Sequence, residues 1–327
     1  MTELMKAGVS SENGLRIAEV PRPAPGPGQV LVKVAAAGMN RADLNAAKGA
    51  GVATKGSLGR PIGMEWAGEV AELGQGVTGL RVGDRVMCSG TGGYAEYAVA
   101  DAGRTIALGD AGFDLQQAAV LPLVLMTAHD AVVTNGRLAK GDAVLVQGAS
   151  SAVGLMSMQI AALRGARMIA GTSGNAAKRV RLTEFGATHA LDPASGDLER
   201  VVLDATGGKG VELVVDMVSG ASVNGSMRMA AVRGRMVNVG RLGGAVAEFD
   251  FDLHAAKRLD YIGVTFRTRS PEEVRAIVEK MKADLWDDLL AGLLRLPTDR
   301  SFALADAIAA HDHMRVNAHF GKIVLVP

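Results

Sequence analysis

The sequence contains very little cysteine, few aromatic residues and almost no net charge, and each shortage excludes a class of protein. Cys88 is the single cysteine among 327 residues, so no intrachain disulfide can form, and a cytoplasmic location is expected. The formal net charge is +1, which argues against a surface for nucleic acid or another polyanion. Aromatic residues make up 4%, too few for a platform that stacks single-stranded nucleic acid.

Long apolar runs are also scarce. The most apolar run, Ala118 to Met126, is interrupted by Pro122 and is expected to be too short to cross a bilayer. The first residues, Met1 to Lys6, lack the apolar core of a signal peptide. No membrane partner is therefore expected.

The length predicts two domains, because 327 residues are many for one hydrophobic core. Short strand-like segments with glycine turns fill the first part, beginning with a hairpin that turns at Glu12-Asn13-Gly14, and this pattern predicts a small β-barrel-type domain. From Ala143 strands and helices alternate, which predicts a doubly wound parallel sheet and an α/β fold class. The predicted strands cover residues 143–147, 166–171, 188–191, 211–217, 235–239 and 261–266. Two helices, 271–283 and 302–315, and a strand at 321–326 follow.

The stretch Ala143–Gly154 reads as a strand, a tight turn of small residues and the start of a helix. This is the geometry that binds the pyrophosphate of a dinucleotide, although the usual G-x-G-x-x-G spacing is here Ala149-x-Ser151-x-x-Gly154. Ser151 and Ala152 each carry a Cβ atom, so the turn is expected to avoid positive φ there. The alternative is an ordinary connection between a strand and a helix.

The end of the second predicted strand indicates which dinucleotide binds. NAD sites usually place a carboxylate there for the ribose 2′-hydroxyl, but this strand runs into Thr172, Ser173 and Gly174. Ser173 and Lys178 instead offer a donor and a positive charge for a 2′-phosphate, which favours NADPH. The alternative is that Lys178 belongs to a solvated helix face.

Two other patterns suggest different chemistry. Gly148-x-Ser150-x-Ala152 is one residue short of the nucleophile elbow of serine hydrolases, for which Asp216 and His254 would be the downstream partners. His311-x-His313 resembles a metal pair, but residues i and i+2 point about 200° apart on a helix. Surface histidines, and no metal, are therefore expected.

The order of several motifs resembles the zinc-free quinone oxidoreductase branch, which includes zeta-crystallin-like reductases, of the medium-chain dehydrogenase/reductase superfamily. The motifs that carry the resemblance are Ala37–Asp43, Gly63–Gly68, Val82–Val86, Gly92–Tyr97, Thr127-Ala128, the strand–turn–helix stretch and Gly321–Leu325.

The resemblance implies a GroES-like catalytic domain formed by residues 1–120 and 267–327, with a Rossmann NADPH-binding domain at 121–266. It also implies a homodimer that pairs through the strand at Tyr261–Thr265. Further cofactor-binding residues follow from it: Ala152 and Val153 at the pyrophosphate, Gly240 beside the nicotinamide, and Phe266 and Asn317 at the cofactor or the substrate.

The resemblance also bears on catalysis. Zinc-dependent relatives carry ligands where this chain has Asn40, Met64 and Leu123, none of which is a good zinc ligand. It implies hydride transfer from NADPH to a quinone without zinc, with α,β-unsaturated carbonyls or enoyl thioesters as alternative substrates.

Asn40 and Thr127 are the candidate catalytic residues. Their alternatives are an asparagine that stabilises a loop and a hydroxyl that lines a helix. Family members often carry a pocket tyrosine that residues 48–63 lack, so a nucleotide-binding protein without turnover stays a further alternative.

Overall fold

The computed structural model describes residues 3–49, 58–109 and 112–327, which divide into two compact units. Unit 1 comprises Met1–Leu123, Arg269–Lys280 and Leu296–Pro327, and unit 2 comprises Val124–Thr268 and Met281–Arg295. The predicted return segment 267–327 is therefore divided between the units. Residues 281–295 group with unit 2 because the Gln159 side chain exchanges two hydrogen bonds with the backbone of Arg295, at 2.9 and 3.0 Å.

Unit 2 is built on one parallel sheet of six strands with helices in the connections. Its strands are β8 (Ala143–Gln147), β9 (Met168–Thr172), β10 (His189–Leu191), β11 (Val211–Asp216), β12 (Ala230–Asn238) and β13 (Asp260–Gly263). Unit 2 has the strand order β10-β9-β8-β11-β12-β13, which reverses between β8 and β11 and confirms the predicted doubly wound fold. Its helices are α3 (Pro122–His129, whose first residues belong to unit 1), α4 (Ala152–Leu163), α5 (Ala176–Val180), α6 (Leu198–Ala205), α7 (Val223–Met229) and α8 (Phe251–Lys257).

Unit 1 contains a hairpin and a seven-stranded sheet. The hairpin of β1 (Leu4–Ser11) and β2 (Gly14–Pro21) turns where the sequence predicts. The strands of the sheet are β3 (Gln29–Gly38), β4 (Glu65–Leu73), β5 (Arg85–Ser89), β6 (Tyr97–Asp101), β7 (Thr105–Ala107), β14 (Thr298–Ala303) and β15 (Lys322–Val326). Unit 1 arranges them in the order β14-β15-β3-β4-β5-β7, and β6 also pairs with β3. Its helices are α1 (Arg41–Ala46), α2 (Leu115–Ala118) and α10 (Ala307–Arg315), and α9 (Pro271–Leu290) contributes residues to both units.

Two helix predictions near the end of the chain are wrong in extent. The predicted helix 302–315 is β14 followed by a short turn and α10, because residues 298–303 pair in parallel with β15. Pairing with a neighbouring strand overrides the local pattern of this mostly exposed segment. The predicted helix 271–283 continues to Leu290 as α9.

The apolar run after Ala118 belongs to a longer helical stretch than the sequence suggests. Leu115–Asn135, which includes α2, α3 and a final π-helical turn, is long and apolar enough to cross a membrane by length and composition. The expectation concerned the run Ala118 to Met126 alone, whereas the helical stretch that contains it has 21 residues. Since 72% of its apolar window is buried inside the protein, the stretch has the character of a core helix.

Candidate cofactor-binding and active site

The turn after β8 places its one strained position on a glycine. Gly148 has φ +71°, whereas Ser151 has φ −74° and ψ 157°, and Ala152 is not among the residues with positive φ. The prediction that Ser151 and Ala152 avoid positive φ is confirmed. The Ser151 hydroxyl caps α4, because it accepts a hydrogen bond from the Gly154 N–H at 3.1 Å and donates to the Gly148 carbonyl at 2.9 Å.

Gly154 lets α4 approach the turn closely. A Cβ atom there would lie 2.7 Å from both Cα and O of Ala149, closer than such atoms pack. The N–H groups of Ala152 and Val153, in the first turn of α4, have no acceptor within the helix and are available to an anion. This cradle of backbone donors fits a pyrophosphate.

The end of β9 carries no carboxylate, as the sequence predicts. β9 ends at Thr172, and the buried Ser173 hydroxyl donates to the Ser150 hydroxyl at 3.1 Å. Lys178 is 8% exposed, so the alternative of a solvated helix face is wrong for this residue. Arg179 pairs with Asp192 at 2.9 Å, which neutralises the carboxylate that follows β10.

Polar residues at the carboxyl ends of the strands support this turn, a role that was not predicted from the sequence. The Thr172 hydroxyl donates to Gln147 Oε1 at 2.7 Å and accepts from the Gly148 N–H at 3.1 Å. Asp216 Oδ1 accepts from the N–H groups of Val218 and Ser219, while burial raises the pKa of this carboxyl. A polar residue at the last position of an apolar strand is the sequence signal that could have identified them.

Gly240 lies at the same edge, after β12. The Ser219 hydroxyl donates to its carbonyl at 2.8 Å, and a Cβ atom at Gly240 would lie 2.6 Å from the Met217 carbonyl oxygen. The structure therefore places Gly240 at the carboxyl edge that carries the Ser151 turn. Phe266 follows β13, and Thr127 is half-buried on α3.

Unit 1 contains a polar cluster, most of it buried, formed by Asn40, Asp43, Glu65, Tyr94 and Lys322. The Lys322 ammonium donates to Glu65 Oε1 at 2.5 Å and to Asn40 Oδ1 at 2.9 Å. Asn40 Nδ2 also donates to Glu65 Oε1 at 3.0 Å, so both polar ends of this amide have partners. Asn40 thus stabilises its loop, as its alternative interpretation holds.

The remaining two residues of this polar cluster, Asp43 and Tyr94, are joined by a hydrogen bond. Asp43 Oδ2 accepts from the Tyr94 hydroxyl and from the Asn40 N–H, both at 2.8 Å. Burial raises the pKa of Asp43 to about 7, against the opposing effect of these hydrogen bonds. Tyr94 is completely buried. Residues 48–63 lack the pocket tyrosine of the family, and of these, residues 50–57 lie outside the described residues.

The residues at the family's zinc positions, Asn40, Met64 and Leu123, do not fit a zinc ion. Asn40 already accepts a hydrogen bond from the Lys322 ammonium, which also pairs with Glu65, the neighbour of Met64, and would repel a divalent cation. The N–H of Leu123 donates to Glu65 Oε2 at 2.8 Å. Over the described ranges, the structure brings no three His, Cys, Asp or Glu residues into a metal-binding group.

The expectation of surface histidines is wrong for His311. This residue is 1% exposed, and burial lowers its pKa to about 4. Neither ring nitrogen has a hydrogen-bond partner in the described part of the chain, and the ring lies edge-on to Tyr94 at 6.1 Å. His313 is partly exposed and pairs with Asp299 at 2.8 Å. As the i, i+2 spacing predicts, the two rings point to different sides of α10, and the side that carries His311 faces the protein interior.

Two remaining sequence candidates have other partners. Asn317, in unit 1, has φ +55° and accepts a hydrogen bond from the Arg41 guanidinium at 2.9 Å. The Ser150 hydroxyl is bonded to Ser173, and no histidine of the described ranges contacts it by a hydrogen bond. The serine hydrolase interpretation therefore lacks the histidine base that would activate Ser150.

Comparison with known proteins matches both parts of the chain. Residues 26–110 match the family "Alcohol dehydrogenase GroES-like domain", and residues 152–283 match "Zinc-binding dehydrogenase". The quinone oxidoreductase of Rattus norvegicus is 29% identical over 307 residues, which are 93% of this chain and 91% of that protein.

Two further similarities are informative. The mycocerosic acid synthase-like polyketide synthase of Mycobacterium tuberculosis is 29% identical over 321 residues, which are 95% of this chain but 15% of that much longer protein. The solved structure of a mycobacterial protein complexed with NADPH superposes with a TM-score of 0.86 at 28% identity, covering 99% of this chain and 100% of that chain.

Proposed function

The chain belongs to the medium-chain dehydrogenase/reductase superfamily, in its quinone oxidoreductase branch, and on this premise we propose that it reduces quinones with NADPH and without zinc. NADPH is its cofactor. The observation that carries the proposal is the carboxyl edge of the unit 2 sheet. There the Ser151-capped helix α4 begins with backbone N–H groups available to a pyrophosphate, and the second strand is followed by the buried Ser173, with the buried Lys178 five residues later, rather than by a carboxylate.

The residues at this edge bind and orient NADPH, and the cofactor supplies the hydride from its nicotinamide ring. Ala152 and Val153 hold the pyrophosphate through backbone N–H groups, Ser173 and Lys178 hold the 2′-phosphate, and Gly240 lies beside the nicotinamide. Phe266 and Asn317 are proposed to contact the cofactor or the substrate, and Thr127 to hold the nicotinamide end.

The Lys322 ammonium supports the zinc-free part of the proposal, because it binds Asn40, which is at one of the family's zinc positions, and Glu65, which is next to another. A quinone accepts hydride without a metal, since its reduced oxyanion is stabilised by resonance and can take a proton from water. Asn40 then shapes the loop, because both polar atoms of its amide are hydrogen-bonded to Glu65 and Lys322.

A panel of quinones, enones and enoyl thioesters, with NADPH oxidation followed by absorbance, tests the activity. We expect the quinones to give the highest kcat/KM. Faster turnover of enoyl thioesters would favour the alternative reductase, which the similarity to a polyketide synthase supports. No turnover with any substrate would leave a nucleotide-binding protein.

Replacing Lys178 with alanine should weaken NADPH binding about 10- to 100-fold, the cost of one or two hydrogen bonds to a charged group. The Kd for NADH should change by less than about twofold, because NADH has no 2′-phosphate. Arg181→Ala is the matched control, since Arg181 is exposed and pairs with Glu184. Fluorescence titration measures all the constants, and equal weakening of both dinucleotides would contradict the role.

A cytoplasmic homodimer completes the proposal. β13 is the edge strand of the unit 2 sheet, and Tyr261 on it is 41% exposed. An unpaired strand edge of this kind can pair with the same strand of a second copy. The mass of the protein in solution tests the homodimer: the mass of two chains is expected, and the mass of one chain would contradict it.

A further inference from the structure

A cationic cavity lies at the amino ends of the unit 2 strands. It has a volume of about 540 Å³ and is lined by Arg137, Arg233, Arg235, Arg258 and Asp260. The paired register of the strands places Arg235 level with Val144 of β8, and Gly148 lies four residues further along that strand. At a rise of about 3.3 Å per residue, the cavity is ~13 Å along the sheet from the cofactor turn. The cavity is therefore separate from the cofactor turn after β8.

The charges around this arginine cavity do not cancel. Arg137 pairs with Asp260, and Arg235 pairs with Asp142 at 2.8 Å. Arg233 and Arg258 have neither an ion pair nor a side-chain hydrogen bond with any residue that the structure describes. Two guanidinium charges therefore border the cavity without a counter-charge.

The backbone at three of these arginines is strained. Arg137, Arg233 and Arg258 have φ of 48°, 64° and 51°, and they are three of the five non-glycine residues with positive φ in the described ranges. Arg258 occupies the left-handed cap of α8, where glycine is the preferred residue. Glycine would relieve the strain at each position, so stability of the fold does not explain the arginines.

We propose that the arginine cavity binds a small oxyanion with two or more negative charges, of the oligophosphate type. Guanidinium groups match phosphate oxygens through paired N–H donors, and two unpaired cations match a ligand with at least two charges. The site is independent of the cofactor turn, which holds its own pyrophosphate at the opposite edge of the sheet.

Calorimetric titration of the whole protein with tripolyphosphate at low ionic strength tests the site. Saturating NADPH is present so that the probe cannot enter the cofactor turn. We expect one tripolyphosphate per chain, bound more weakly as salt is added. The double variant Arg233→Gly/Arg258→Gly should bind at least about tenfold more weakly, while its Tm stays equal or rises because glycine fits the left-handed backbone.

Arg200→Ala is the matched control, because Arg200 is an exposed arginine of unit 2 outside the cavity. It should bind tripolyphosphate as the unsubstituted protein does. Absence of binding to the unsubstituted protein in the presence of NADPH would overturn the proposal, and so would equal affinity in the double variant. A double variant that binds normally but falls to a lower mass would assign the arginines to an interface between two copies of the chain instead.

Discussion

Valine at position 154 is expected to abolish NADPH binding, with a Kd at least about 100-fold higher. Even the first atom of the new side chain would lie 2.7 Å from the backbone of Ala149, so α4 must move away from the turn. Backbone atoms cannot yield as a flexible side chain can, and overpacking of this kind costs about 1–3 kcal/mol or more. The displaced N–H groups would no longer converge on the pyrophosphate. Fluorescence titration with NADPH gives the affinity.

The matched control is Gly225→Val. Gly225 lies in α7 of the same unit, and a Cβ atom there would meet a single neighbour, a guanidinium nitrogen of Arg228 at 3.6 Å. This variant should bind NADPH normally and keep its Tm. Normal NADPH affinity in Gly154→Val would show that the turn after β8 is not the pyrophosphate site.

Methionine at position 322 is expected to lower the free energy of unfolding by about 3–5 kcal/mol. Lys322 and Glu65 have side chains that are 3% and 0% exposed, and their charged atoms are 2.5 Å apart. Removing the ammonium leaves the Glu65 carboxylate buried, with hydrogen bonds from Asn40 and Leu123 as the contacts that remain to it among the described residues. Urea unfolding followed by circular dichroism measures the change.

A double-mutant cycle separates the ion pair from general disruption. Glu65→Gln/Lys322→Met removes both charges and should be less destabilised than the sum of the single variants. Arg200→Ala breaks two exposed ion pairs, with Asp197 and Asp204, and should cost less than about 1 kcal/mol. Strict additivity of Glu65→Gln and Lys322→Met would mean that the two charges do not stabilise each other.

The sequence predicts unit 2 well because its signals are local. Six apolar segments separated by helical ones can form a doubly wound sheet, and the observed strand order is the one expected for it. Segments whose partners are distant are predicted poorly. Thr298–Ala303 carries few apolar residues, and only β15 beside it makes it a strand.

The candidate site divides in the same way. The turn at Ser151 could be predicted because one strand, one turn and one helix N-terminus are consecutive in the chain. The cluster of Asn40, Glu65 and Lys322 could not, since β15 brings Lys322 to residues that lie far earlier in the sequence. The net charge of +1 likewise gives no indication of the arginine cavity. Composition counts charges over the whole chain, whereas folding brings several arginines together at one place on the surface.

The position of β15 also has a consequence for synthesis on the ribosome. All six strands of unit 2 are contained in residues 143–263, whereas the unit 1 sheet needs β15 to cover Ala37 and Gly38 of β3. Unit 2 can therefore fold while the ribosome is still making the last strand of unit 1. Until Lys322 emerges, Ala37 and Gly38 of β3 lack their partners in β15 and Glu65 lacks its ammonium, so the unit whose synthesis begins first is the one whose sheet is completed last.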